Sequence, residues 1–252
     1  MTDHIEITRP EAHPGVLVLR FNRPDKKNAI TQAMYEKLTA GLLEGDNDEA
    51  IRAIVFLGTE GCFSAGNDMA DFLSFAMAGA VGEPAAFGLL KALTEVTKPL
   101  VSGVDGLAIG IGTTLHMHCD LTVASDRSLF KTPFVDLALV PEAASSLIAP
   151  RIMGHQRAFA MLAASEGFSA EQAREAGLIW KVVSPDQVEA ETLKLASSLA
   201  SKPPAAMKIA RALVKGSADE VRARMQEELQ HFVSQLKSAE ARAAFEAFMM
   251  KR

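Results

Sequence analysis

VSGVDGLAIGIGTTLHMHCD, residues Val101–Asp120, is the stretch on which the reading of this chain turns. A short apolar run, Leu100–Val104, ends in a loop carrying Gly106, Gly110 and Gly112, after which small and apolar residues lead toward Cys119 and Asp120. The pattern predicts a strand, a tight turn and a buried helix. Glycine lets a backbone come close to a ligand, and a helix N-terminus offers unpaired N–H groups at the positive end of its dipole. Such a place suits a developing negative charge. The same glycines would also let a buried helix pack against a sheet, so on this stretch alone both readings stand.

The flanking segments alternate strands and helices. Ile5–Thr8 and Val16–Phe21 read as adjacent strands separated by Pro10, Pro14 and Gly15. Thr31 is placed to cap a helix over Gln32–Leu43, with Met34, Leu38 and Leu42 at helical spacing and Asp46–Asp48 closing it. Arg52–Gly58 reads as a buried strand, and the turn after it, TEGCFSAGND, makes a second strand-to-glycine junction at Gly66. Residues 69–84 are small, apolar and aperiodic, and read as a lid. Ala85–Val96 is predicted helical and Leu121–Ser125 a strand, and Pro141-Glu142 is expected to open a helix with a first-turn acid. From His155 onward helices dominate: roughly His155–Ala164, Ala170–Ala176, Asp186–Ala200, Pro204–Lys215, and Asp219–Met250 with a break near Ser238. A short strand over Leu178–Val183 interrupts them.

Composition narrows the function. The 252 residues are 48% hydrophobic and 23% charged with a formal net charge of −5, a globular profile that disfavours nucleic-acid partners. Two cysteines, Cys62 and Cys119, make no disulfide framework and fit a reducing compartment. The N-terminal MTDHIEITRPEAHPG has no signal or transit pattern, Met250-Lys251-Arg252 is no peroxisomal address, and no apolar run is long enough to cross a bilayer. A cytoplasmic protein is expected. His116 and His118 stand two apart without a completing ligand set, so no metal is expected there. The segment Asn22–Ala29 is locally basic, with Arg20, Arg23, Lys26 and Lys27 against Asp25 alone. It reads as a solvated loop or as a clamp for an anionic group such as a phosphate.

FNRPDKKNAI (Phe21–Ile30), CFSAGNDM (Cys62–Met69) and VDGLAIGIGTTLHMHCDLTVAS (Val104–Ser125) together resemble the crotonase superfamily, the enoyl-CoA hydratase/isomerase family. The resemblance continues through KTPFVDLALVPEAASSLIAPRIMG and AREAGLIWKVV to AAFEAFMMKR, nearly the whole chain. It implies an α/β fold, a crotonase-like spiral of ββα units with a helical C-terminal region, the core over 1–197 and a region for trimerisation and active-site cover over 198–252. It also implies acyl-CoA thioester substrates, no cofactor beyond the CoA of the substrate, and a homotrimer or dimer of trimers. Its shared device is a pair of backbone N–H groups that stabilise an enolate oxygen. These fall on Asn67, after Gly66, and on Ile111, after Gly110. For CoA, the resemblance points to Lys26, Lys27, the backbone at Ala65, and Lys251.

The carboxylates then bear on the reaction. Hydratases of this family use two glutamates, and the matching positions here hold Thr114 and Phe134, neither of which transfers a proton at neutral pH. Glu142, in VPEAASS, resembles the single catalytic glutamate of the monofunctional Δ3,Δ2-enoyl-CoA isomerases. One base suffices to take a proton from C2 and return it at C4. Glu142 could instead be only a first-turn helix acid. Asp136 is the rival acid, expected at the solvated surface, while Asp105 and Asp120 are expected to hold turns. A hydratase and a weakly catalytic thioester-binding scaffold are the alternatives.

Overall fold

Apolar residues alternate along the first strands, and the alternation decides which face each side chain covers. Val16, Val18, Val55 and Leu57 face one way and pack on Leu193 and Ala196, while Leu17, Leu19, Ile54 and Phe56 face the other and join Tyr35, Leu38 and Leu42. A strand buried on both faces has no polar side, which is why Ala53–Leu57 reads as a continuous apolar run. The computed structural model describes residues 4–70 and 85–250. Apart from Met69 and Ala70, the expected lid lies outside the described residues, as does Lys251.

Among the described residues, β1 (Ile5–Thr8), β2 (Val16–Phe21), β3 (Ala53–Leu57), β5 (Leu100–Val104), β7 (Leu121–Ser125) and β10 (Lys181–Val183) form one sheet in that order. It is parallel apart from the β1–β2 pair. A second sheet runs β4 (Cys62–Ser64), β6 (Leu107–Ile109), β8 (Leu129–Lys131) and β9 (Phe168–Ser169). Successive units therefore deliver one strand to each sheet, β3 then β4, β5 then β6, β7 then β8. The chain winds as a spiral, and equivalent loops fall at the same end of the second sheet.

Helices α1 (Gln32–Asn47) and α2 (Ala85–Glu95) cover one face of the large sheet. After them come α3 (Ile111–Thr114), α4 (Ser145–Leu162), α5 (Ala170–Glu175), α6 (Val188–Ala200), α7 (Pro204–Lys215), α8 (Ala218–Leu236) and α9 (Ala239–Met250). Of these, α6 covers the other face of the large sheet. The Thr31 side chain accepts a hydrogen bond from Met34 N, the expected cap, although α1 runs beyond Leu43 to Asn47. No helix among the described residues is long and apolar enough to cross a membrane.

The opening stretch is more segmented than its pattern predicts. A three-residue strand, β6, intervenes between the two glycine turns, and α3 is a single turn continued by a 3-10 turn at Leu115–Met117. The expected helix start at Pro141-Glu142 is corrected to Ser145, because Ala143 and Ala144 adopt left-handed φ values of 62° and 54°. The helix expected from His155 is the second half of α4, whose backbone breaks at Gly154 with φ 76°.

Asp120 does more than hold a turn. Its Oδ2 accepts from Leu100 N at 2.7 Å and from Arg211 Nε, 91 residues further along the chain than Asp120, at 2.7 Å, which ties β5 to α7. Arg211 is largely buried, its side chain 9% exposed, so its charge depends on this partner. Asp120→Asn is expected to lower the unfolding free energy by roughly 1–3 kcal/mol, read from a urea titration. Asp105 likewise joins segments, accepting from Gly61 N at 2.7 Å and from Arg127.

Candidate active site

The site begins where β4 and β6 end. The two strands pair in parallel with Ser64 opposite Ala108, and two residues beyond each the chain turns out of the sheet, at Gly66 with φ 85° and at Gly110 with φ 59°. The two turns touch, since a Cβ placed on Gly66 would lie 2.9 Å from Ile109 O and 4.0 Å from Gly110 Cα. The next residues are Asn67 and Ile111.

Among the described residues, the first turn leaves Asn67 N–H uncommitted, and the second leaves Ile111 N–H uncommitted together with Gly112 N–H one residue further into the helix. Ile30 bridges to the first turn by donating to Gly66 O at 2.8 Å and accepting from Asp68 N at 2.9 Å, which turns the intervening Asn67 N–H away from that bridge. In the second turn Gly110 O accepts from Thr113 N and Thr114 N, closing the first turn of α3. Ile111 N therefore sits at the start of a helix, where no intrahelical acceptor exists. Among the described residues neither Asn67 N–H nor Ile111 N–H has a hydrogen-bond acceptor.

The polar segment after β2 is largely scaffolding for the first turn. Ser64 Oγ donates to Asn28 O at 2.9 Å and accepts from Gly66 N at 3.1 Å, Ala65 N donates to Lys27 O at 2.9 Å, and the buried Tyr35 hydroxyl donates to Asn67 Oδ1 at 2.6 Å. Arg23 is bound to Asp68 at 2.7 Å and to Ala29 O, and Arg20 to Glu189. Lys26 and Lys27 stand exposed. Half of the basic cluster is thus consumed internally, and its lysines are the half open to a ligand.

Thr114 and Glu142 meet. The Thr114 side chain, fully buried, donates from Oγ1 to Glu142 Oε1 at 2.6 Å. Glu142 lies in the loop before α4 rather than in its first turn. Burial pushes its carboxyl up to about 8, the Thr114 hydrogen bond draws it down, and the charge of Glu228 adds to the rise. A carboxyl held near neutrality both accepts and returns a proton readily. Phe134 is buried and apolar. Asp136 sits on an exposed turn, its side chain 59% accessible and 3.7 Å from Lys131 Nζ, in keeping with the solvated surface expected of it.

The loop around Glu142 is gripped from two sides that no local pattern marked. His118 Nε2 donates to Ala143 O at 2.8 Å, while Glu228 on α8 accepts from Ala144 N at 2.6 Å and from Ser146 N at 3.0 Å. The signal available for Glu228 was its spacing from Met225 and Phe232, which places it on the inward stripe of its helix.

The histidines are structural. His116 Nδ1 pairs with Ser102 Oγ at 2.9 Å between the rings of Phe63 and Phe130, and burial lowers His116 to about 3 and His118 to about 4. Burial raises the Cys62 thiol to about 11 and the Cys119 thiol to about 12, so neither is a ready thiolate nucleophile. Among the described residues no cluster of His, Cys, Asp and Glu could hold a metal ion.

The chain has counterparts among known proteins. The sequence matches the enoyl-CoA hydratase/isomerase family over residues 11–252. It is 35% identical over 207 residues to enoyl-CoA delta isomerase 2 of Rattus norvegicus, covering 80% of this chain and 52% of that protein. The chain thus spans about half the length of that relative. It is also 30% identical over 240 residues to 2,3-dehydroadipyl-CoA hydratase of Escherichia coli, covering 94% of this chain and 93% of that one. The crystal structure of an enoyl-CoA hydratase/isomerase from Pseudoalteromonas atlantica superposes with a TM-score of 0.92 at 36% identity, covering 99% of this chain and 98% of that one. The chain belongs to the enoyl-CoA hydratase/isomerase family and has the fold of that family's solved structures.

Proposed function

We propose that the protein is a Δ3,Δ2-enoyl-CoA isomerase, moving the double bond of a 3-enoyl-CoA to trans-2-enoyl-CoA with Glu142 as the single base. The observation that carries the reading is the pairing of Glu142 with Thr114 beside the uncommitted N–H groups of Asn67 and Ile111, with apolar Phe134 at the second hydratase position.

The Glu142 carboxylate takes a proton from C2, and the electron pair moves onto the thioester oxygen, held by Asn67 N–H and Ile111 N–H. The protonated Glu142 then gives the proton to C4, which binds it with the former C3–C4 double-bond pair. The C1–C2 pair of the dienolate moves between C2 and C3, and the oxygen's pair re-forms the carbonyl. Nothing is oxidised, no water is consumed, and no cofactor beyond the CoA of the substrate takes part. Water activation by the hydratase route needs a second carboxylate, and Thr114 and Phe134 stand where that family places the pair. Lys26 and Lys27 meet the CoA phosphates, Ala65 offers backbone to the adenine, and the 3′-phosphate is assigned by resemblance to Lys251, which lies outside the described residues. The assembly is a homotrimer or a pair of trimers, a reading supported by the open apolar side chains Trp180, Leu213 and Val214, 64%, 78% and 89% exposed.

The test is a paired assay. Incubation with a 3-enoyl-CoA is expected to raise the absorbance of the conjugated thioester, and incubation with crotonyl-CoA to leave it unchanged. Loss of crotonyl-CoA absorbance with a 3-hydroxyacyl product would instead make the enzyme a hydratase. Thioester binding by calorimetry with no turnover on either substrate would make it a scaffold.

A further inference from the structure

The loop that carries Glu142 is held in a conformation its own sequence does not favour. Ala143 and Ala144 are consecutive non-glycine residues with φ 62° and 54°, where Cβ crowds the backbone. The contacts that hold them come from distant elements. On one side His118 donates to Ala143 O at 2.8 Å. On the other, Glu228, only 6% exposed, accepts from Ala144 N at 2.6 Å, from Ser146 N at 3.0 Å and from Ser146 Oγ at 2.6 Å. Arg224, one turn earlier on α8, donates to Ser146 Oγ at 3.1 Å.

We propose that Glu228 is a positioning residue for Glu142: its buried carboxylate grips the backbone of the loop between Glu142 and α4, fixing the aim of the base and placing a second negative charge beside it. This rests on the reading of Glu142 as the base. Both Glu228 oxygens face donors only, so a neutral amide cannot replace it, because its NH₂ would meet an N–H. Among the described residues, few titratable or charged groups and polar partners face Glu142 and its loop. They are Thr114 from α3, neutral His118 from the following turn with Lys215 on its carbonyl, and Arg224 and Glu228 from α8. The charge of Glu228 works against ionisation of Glu142 and so strengthens it as a base.

The experiment uses the full chain with Glu228→Gln and Ser146→Ala. Steady-state isomerisation is measured across pH, and the Glu142 carboxyl is titrated by carbon NMR in glutamate-labelled protein, assigned by its absence in Glu142→Gln. Glu228→Gln is expected to move the Glu142 titration down by about one unit. It is also expected to cut kcat roughly tenfold to a hundredfold, with KM held within about twofold, as misaimed chemistry does. A merely structural role would lower thermal stability and leave the titration in place. If Glu228→Gln does not fold, Ser146→Ala decides, since it removes one of the three donors and leaves both backbone arms. A severalfold fall in kcat at unchanged KM supports the proposal. A folded variant with kcat and the Glu142 titration both unmoved overturns it. A shifted titration in a protein with no isomerase turnover would sink the isomerase reading and leave the coupling of Glu228 to Glu142 standing.

Discussion

Glu142→Gln is expected to lower kcat for isomerisation by about 10²–10⁴-fold while KM for the thioester stays within a few-fold. Glutamine fills the same volume, and its carbonyl oxygen can accept from Thr114 Oγ1 as the carboxylate does at 2.6 Å. Asn67 N–H and Ile111 N–H are untouched, so what disappears is proton affinity. The pH profile follows the same logic. Because burial raises the wild-type carboxyl to about 8, kcat/KM climbs as pH rises through that value, and the residual activity of the variant loses this inflection. His116 and His118 titrate near 3 and 4 and do not contribute to it.

Stability moves the opposite way to activity. The folded carboxyl of Glu142 titrates at about 8 against an ordinary value of 4.5. Its contribution to stability is therefore fully present below 4.5 and lost as pH rises through about 8, because the folded state must then hold a buried charge that the unfolded chain solvates freely. The glutamine variant has no charge to bury, so its melting temperature is expected to exceed the wild-type value on the alkaline side and to match it in acid. A kcat within tenfold of wild type would remove Glu142 from the role of base.

What was legible in the sequence follows from the range of each interaction. Ile5–Thr8, Val16–Phe21, Leu100–Val104 and Leu121–Ser125 are strands with the bounds their apolar runs predicted, because burial and flanking turn residues are written in adjacent letters. Leu107–Ile109 was missed because three residues are too few to carry a period. The start of α4 was misplaced because alanine at 143 and 144 gives no hint of a left-handed backbone, which Glu228 and His118 hold from far along the chain. Arg23 shows the same limit, since its charge is plain in the sequence while its commitment to Asp68, 45 residues on, is not. Ile111 was partly legible, because a glycine turn that opens a helix leaves N–H groups without partners, whereas Asn67 was accessible through resemblance alone, because the relevant atom is backbone and leaves no side-chain signature.

Gly66→Ala is expected to reduce kcat/KM by about 10²–10³-fold, the loss of about one oxyanion donor, or roughly 2.7–4 kcal/mol. Gly66 has φ 85°, where an L side chain is strained, and the new methyl would lie 2.9 Å from Ile109 O, a backbone atom of the opposing turn. The clash cannot be relieved by a rotamer change. Either the Gly66 turn lifts away from β6, carrying Asn67 N–H with it, or Ile109 and Gly110 retreat and move Ile111 N–H. Both routes part the two N–H groups that the proposed reading assigns to one thioester oxygen. The base is left intact, so the climb of activity through about pH 8 should persist in the residual rate, in contrast to the flat profile of Glu142→Gln. Exchange of the C2 protons of a saturated acyl-CoA with deuterated water isolates this step, because enolate formation needs the base and the two donors but no double bond. That exchange should fall in parallel with kcat/KM. Unimpaired exchange in a folded Gly66→Ala protein would mean that the thioester oxygen is stabilised somewhere other than between Asn67 and Ile111.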